Sequence, residues 1–427
     1  MLGGKLLALA GCAFALATSW QFAQRLSDDA ALQNTHLPAW LLLLFVSSPY
    51  FCYWAFSGME AVTAAGWLML QSMLLMPRQP RVSTVLTGAM CLGLGPLIRP
   101  ELVLMFAAGG PFLLRQWWHV SQDMSTAHRW ALFMAAATWL ALPLLLWSAY
   151  AMHAFGQVLP NTNAAKQAPP GTVVPLRLLQ VMSLGFPAVL VMAAALSLRT
   201  WVRHAASQCT SATSQPGRCW RGMPHTALPL ATWLVLVSVF YVANHTHVQT
   251  RYVLVMAPGL TALLWTSAMR QLPHHVVARL TTACVALAMG TSLWLTQPHL
   301  RNKIDLIAST ARMAEHIQTL VPRQSPIAVY AIGQFGYLLR EHELIDLGGI
   351  TQPAASRFLY NEKARMVWAR AEGARYFIWG EAPEADAELI LEEPALHVGW
   401  HLQRHRYDEA SPLRLWQVPP SPSQSDH

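Results

Sequence analysis

Apolar stretches about 20 residues long recur from Leu6 to Leu295, and at 1.5 Å rise per residue such a stretch crosses a hydrocarbon core of about 30 Å. No other feature narrows the possible folds as much. A chain of 427 residues that is 54% hydrophobic and only 12% charged has too little polar surface to close around a water-soluble core, so the bilayer is its solvent. The runs place about ten spans: Leu6–Gln24, Pro38–Phe56, Ala61–Met76, Val82–Ile98, Leu102–Leu114, Trp130–Met152, Leu178–Leu198, Leu228–Ala243, Tyr252–Met269 and Leu280–Leu295. The expected fold is an all-α polytopic membrane domain over residues 1–298, a small α/β domain over 299–418 and a disordered tail over 419–427, PPSPSQSDH in its last nine residues.

The formal charge of +8 is spread through short loops and forms no single basic face, so nucleic acid is not an expected partner. The charge reports topology instead. Assigning alternate loops to the cytoplasm collects Arg25, Arg78, Arg81, Arg115, Arg129, Arg199, Arg203, Arg218, Arg221, Arg270 and Arg279 on that side. The opposite side receives only Arg99, Lys166, Arg177 and Arg251, a consistent positive-inside bias. The C-terminal domain then lies outside the cytoplasm. The same parity starts the first span outside, with no span ahead of it. Lys5 before an apolar run has the form of a signal peptide, but no small-residue cleavage site precedes Arg25. The expectation is that a span and a loop precede Met1.

The non-cytoplasmic loops carry nearly all the unusual polar residues: Ser57-Gly58-Met59-Glu60, Arg99-Pro100-Glu101, the stretch from Leu159 to Lys166, and the stretch from Asn244 to Tyr252. Charge within a membrane is costly, by at least about 2.5 kcal/mol at its centre, so Glu60, Arg99 and Glu101 belong at the interface or in a wet cavity. Cys12, Cys52, Cys91 and Cys284 sit in apolar runs and read as small hydrophobes, and no metal-type cysteine spacing occurs. His245 and His247 have HxH spacing but no third ligand nearby in sequence, so no metal is assigned to them.

The order SPxxxxWAxSGME, LIRPE, LPNTxxAK and HxxxRYxxxxxP, all on one face, resembles the multi-span GT-C superfamily of glycosyltransferases. It is most similar to the bacterial branch of the mycobacterial terminal arabinofuranosyltransferase and protein O-mannosyltransferase type, and IAVYAIGQFGYLLREHELIDLGGIT resembles that branch's C-terminal domain. The resemblance implies transfer of a sugar from a polyprenyl-phosphate donor to a glycan, lipid or protein hydroxyl at the periplasmic face of a bacterial inner membrane. Arg99, Lys166 and Arg251 would meet the leaving phosphate, with Asn161 and Tyr252 in the binding set. Glu60, Glu101 and His247 would be the candidate proton acceptors. The arginines also fit interfacial anchors, and Glu60 and Glu101 equally fit structural ion pairs with Arg99 or Arg251. The motifs call for no cofactor, and a divalent cation on the phosphate is compatible with them.

In that superfamily the base is an Asp, often one of a pair, in the first periplasmic loop. The pair here, Asp28-Asp29, falls on the arginine-rich side and reads as solvated loop acids. The chain is therefore expected to lack the N-terminal span and the Asp loop. Two other readings accompany the transferase: a transporter or flippase of lipid-linked sugars, and a catalytically inactive interaction protein. In the C-terminal region PIAVYAIG, ARYFIWG and LRLWQV read as strands, FGYLLREH as a short helix and Ala354–Glu372 as a longer one, and Gly333 with Gly336 read as a turn.

Overall fold

The computed structural model describes residues 2–29, 36–55, 60–156, 158, 167–168, 171–187, 191–196, 199, 225–330, 332–358, 360–393, 399–401, 406–408 and 413–419. They form two compact units, Met1–Val158 with Val173–Thr296 and Leu159–Thr172 with Gln297–His427.

The first unit is helical. Its elements are α1 (Leu2–Asp29), α2 (Leu37–Val46), α3 (Pro49–Ala55), α4 (Ala61–Leu75), α5 (Val82–Ile98), α6 (Leu104–Ser121), α7 (Thr126–Phe155), α8 (Val174–Gly185), α9 (Leu228–Ala243), α10 (Thr250–Gln271) and the first part of α11 (His274–Leu320). Among the described residues four helices are long and apolar enough to cross a membrane, within α1, α7, α10 and α11, and a fifth span results if α2 and α3 count as one. Segments α4, α5, α8 and α9 are apolar but shorter than 18 residues. Fifteen residues of α4 reach only about 22 Å, less than a hydrocarbon core.

The expected span Pro38–Phe56 is broken. Between α2 and α3 the axis turns by 71° at Ser47 and Ser48. Pro49, at the start of α3, lacks an N–H, and side chains satisfy the exposed backbone: Ser292 Oγ donates to the Ser47 carbonyl at 2.6 Å, and Ser48 Oγ accepts from the Tyr50 N–H at 3.2 Å. Small residues set the closest helix approaches. A Cβ on Gly66 of α4 would lie 2.7 Å from the Ala15 Cα of α1, and one on Gly93 of α5 would lie 2.4 Å from the Leu140 carbonyl oxygen of α7.

Charged residues assigned to one side by loop parity meet one another. Arg78 forms an ion pair with Asp28, and Arg25 donates to the Met73 carbonyl at 2.8 Å. Glu60 and Arg99 meet at the other end of α4. The acids Asp28 and Asp29 end α1, and the exposed Asp28 is a surface partner of arginine. The cysteines described, Cys12, Cys52, Cys91 and Cys284, are free.

The second unit holds a five-stranded mixed sheet in the order β2-β1-β3-β7-β4, with β1 (Ile327–Val329), β2 (Leu344–Asp346), β3 (Tyr376–Trp379), β4 (Glu388–Glu393) and β7 (Leu413–Gln417). Strand β1 runs parallel to β2 and β3, and β7 is antiparallel to β3 and β4. Strands β5 (Gly399–His401) and β6 (Arg406–Asp408) form a separate pair. Side chains alternate as the pleat requires. Ile327, Val329 and Ile378 pack against Met313 and Ile317 of α11, while Ala328 and Phe377 pack against Met366 and Ala369 of α13 (Glu362–Ala371) on the opposite face. The expected helix Ala354–Glu372 is a 3₁₀ turn, Pro353–Phe358, followed by α13, because the Asn361 side chain caps a new helix by accepting from the Ala364 N–H at 3.0 Å. Gly333 and Gly336 lie within the short helix α12 (Ile332–Leu338) rather than in a turn.

Asp346 closes the IDLGG turn. It is fully buried and accepts from the Gly348 N–H at 2.8 Å, the Thr351 N–H at 2.6 Å and the Thr351 hydroxyl at 3.0 Å. Asp346→Ala strands these donors and is expected to destabilise the second unit by about 3 kcal/mol. Limited proteolysis of the full chain across a urea series checks this, and an unchanged cleavage midpoint would remove the turn from the unit's stability.

Candidate functional site

Pro100 shapes the site locally. The residue before a proline is driven to extended backbone, so α5 stops at Ile98 and Arg99 adopts φ −157° and ψ 128°. The chain then folds into the 3₁₀ turn Pro100–Val103, which carries Glu101 back toward the Arg99 guanidinium.

Arg99 donates through Nε to Glu101 Oε2 at 3.0 Å and through Nη2 to Glu101 Oε1 at 3.2 Å, a bidentate fork. Its Nη1 donates to Glu60 Oε1 at 3.2 Å. Glu60 stands at the N-terminus of α4, where the helix dipole favours a carboxylate. The three side chains differ in access: Arg99 is 3% exposed, Glu101 13% and Glu60 41%. Sequence left two roles open for these acids, and the geometry pairs both with Arg99, which is thereby committed to carboxylates.

Tyr252 lies beneath two cations. The Arg99 guanidinium carbon is 5.0 Å from its ring centroid and that of Arg251 is 5.5 Å away, both in cation–π range. The Tyr252 ring stacks on Tyr241 of α9, with centroids 5.6 Å apart. Arg251 is half-buried at the start of α10. Two indoles pin the frame: Trp233 Nε1 donates to the Glu101 carbonyl at 3.3 Å and Trp54 Nε1 donates to Thr250 Oγ1 at 2.9 Å.

His247 sits in the loop between α9 and α10. Its Nδ1 is buried and has no hydrogen-bond partner among the described residues. Burial, and secondarily the charge of Arg177, hold its pKa below the usual value of about 6.5, so the imidazole is neutral at pH 7. The unfolded chain then takes up its proton first as pH falls through about 6.5, so stability declines from there down to the lower folded value and levels off below it. The melting midpoint is expected to drop between pH 7.5 and 5.5 by less in His247→Gln than in the wild type. Equal drops would assign the pH response to other groups.

Neighbouring His245 is exposed and adopts positive φ, 49°. Among the described residues no group of three or more His, Cys, Asp and Glu side chains forms a metal-type cluster. Asn161 and Lys166 lie outside the described residues. Glu60, Glu101, Arg99, Arg251 and Tyr252 are thus brought together, with His247 four residues before Arg251. Sequence reasoning missed Trp233 and Tyr241 and gave Trp54, the tryptophan of SPxxxxWAxSGME, no role, because an aromatic within an apolar span carries no signal that separates a site wall from ordinary packing.

The arrangement presents one accessible carboxylate, a second carboxylate locked to a buried guanidinium, and a further guanidinium on an aromatic shelf. Comparison with protein-family models, with curated proteins and with solved structures finds no match for this chain.

Proposed function

We propose that the protein is a membrane glycosyltransferase that moves a sugar from a polyprenyl-phosphate carrier to a hydroxyl of a glycan, lipid or protein. The proposed setting is the periplasmic face of a bacterial inner membrane, with about ten spans, the shorter apolar helices among them, and a periplasmic C-terminal domain. The observation that carries this reading is the cluster of Glu60, Arg99, Glu101, Arg251 and Tyr252, in which an accessible carboxylate and a second guanidinium share one frame.

In the proposed step the acceptor oxygen bonds to the anomeric carbon as the bond from that carbon to the phosphate oxygen breaks. The electron pair leaves with the carrier phosphate. Glu60 takes the hydroxyl proton and Arg251 offsets the phosphate charge, while Arg99 and Glu101 position Glu60. Arg99 is a positioning residue here because its donors already serve carboxylates.

The 71° break between α2 and α3 favours a second reading, a transporter or flippase of the same lipid-linked sugars, since broken helices line substrate paths in transporters. One experiment separates the two. The full chain is reconstituted in vesicles with a radiolabelled polyprenyl-phosphate sugar and a glycan acceptor, with and without EDTA. Label appearing in the glycan supports the transferase, and label crossing the bilayer still attached to its carrier supports the transporter. Neither outcome across a panel of donors would leave the interaction protein.

A further inference from the structure

At the arginine-rich end of the first unit, away from the Arg99 cluster, the turn between α4 and α5 and one face of α6 enclose a cavity of about 450 Å³. Arg78, Arg115, Gln116 and His119 line it, together with Pro77 and Pro80 of the turn. Its shape is fixed before any ligand arrives. Gln116 is buried and its Nε2 donates to the Leu74 and Leu75 carbonyls at 2.9 and 2.6 Å, tying α6 to the end of α4.

The basic side chains divide by partner. Arg78 is paired with Asp28, whereas exposed Arg115 and His119 have no ion-pair or hydrogen-bond partner among the described residues. Arg115 and His119 are four residues apart and share one face of α6. The adjacent stripe, Leu114 and Trp118, is apolar and 55% exposed at each position. Trp130 at the start of α7 is 60% exposed, and Trp117 Nε1 donates to the Arg129 carbonyl at 3.3 Å. Exposed indoles beside helix ends mark the depth at which a bilayer changes from acyl chains to headgroups. The cavity therefore sits at headgroup depth with an unpaired cation at its mouth and an apolar stripe beside it.

We propose that this cavity binds the phosphate of an anionic phospholipid from the leaflet on the arginine-rich side, with Arg115 and His119 on the headgroup and the Leu114–Trp118 stripe against the acyl chains. The site is separate from the proposed chemistry and stands whether or not the protein transfers sugars.

The test is native mass spectrometry of the full chain in detergent, titrated with phosphatidylglycerol or phosphatidylcholine of identical acyl chains. Phosphatidylglycerol is expected to bind several-fold more tightly. Arg115→Ala should weaken it about fivefold, with a further loss in Arg115→Ala/His119→Ala, while phosphatidylcholine binding stays unchanged. Arg115→Lys should retain most of the preference, and Arg270→Ala, an exposed arginine outside the cavity, should retain all of it. Equal binding of the two lipids, or a preference that survives Arg115→Ala, would overturn the proposal. Displacement of the lipid by millimolar inorganic phosphate would overturn the lipid assignment in favour of a free-anion site.

Discussion

Arg99→Met is expected to destabilise the membrane unit by about 3 kcal/mol or more, because it leaves Glu101 largely buried and without its bidentate partner. Arg99 itself is 3% exposed, so water cannot replace the three hydrogen bonds it makes to two carboxylates. The loss is one of pairing rather than of charge. Arg99→Met/Glu101→Leu should accordingly recover most of the stability, since replacing a buried ion pair by apolar side chains of similar volume is often neutral or better. Thermal unfolding in detergent of the wild type, each single variant and the double variant gives the coupling directly. Additive losses in the double variant would mean that the pair is not the element that matters, and a wild-type midpoint for Arg99→Met would mean that Arg99 is accessible to water.

Glu60→Gln should behave in the opposite way. Its side chain is 41% exposed and its single contact to Arg99 is screened, so stability is expected to change by less than about 1 kcal/mol. Transfer is expected to fall between about 100- and 10,000-fold if Glu60 accepts the acceptor's proton, because the amide keeps the shape and loses the base. The loss should lie in kcat rather than in the donor KM. Wild-type turnover in Glu60→Gln would move the base elsewhere. The two substitutions are thus expected to separate a residue that holds the fold from one that takes the proton in the proposed reaction, although they touch the same hydrogen bond.

The extent to which the chain can be read in advance differs from element to element. Ile327–Val329, Tyr376–Trp379 and Leu413–Gln417 follow from short apolar runs between turn residues, and each is a strand. Strand β4 escaped that reading, since ELILEE is too acidic to look buried and only its pairing with β7, which shifts register between Leu389 and Leu391, makes it a strand. The span beginning at Pro38 was readable as apolar, but its break depends on Ser292, 245 residues from Ser47, supplying a donor to the opened backbone. The span that starts near Leu280 was expected to end at Leu295, before Pro298. The helix instead continues to Leu320, with its last turns packed on the sheet through Met313 and Ile317.

The candidate site divides similarly. Pro100 and Glu101 beside Arg99 already imply a turn that brings a guanidinium and a carboxylate together, because the geometry is confined to three residues. The second carboxylate is 39 residues away, and its arrival depends on how α4 lies against α5. Run length is a property of the chain against its solvent, so the amino-acid sequence by itself determined helices long and apolar enough to cross a bilayer. Which residues touch is a property of packing. Gly95 of α5 leaves room for Gln71 of α4, whose Nε2 donates to the Cys91 carbonyl at 3.0 Å, and α4 lying against α5 brings Glu60 to Arg99, while Tyr252 of α10 comes within cation–π range of Arg99. Only the tertiary structure decided this, because contacts between residues far apart in sequence leave no trace in the periodicity of either segment.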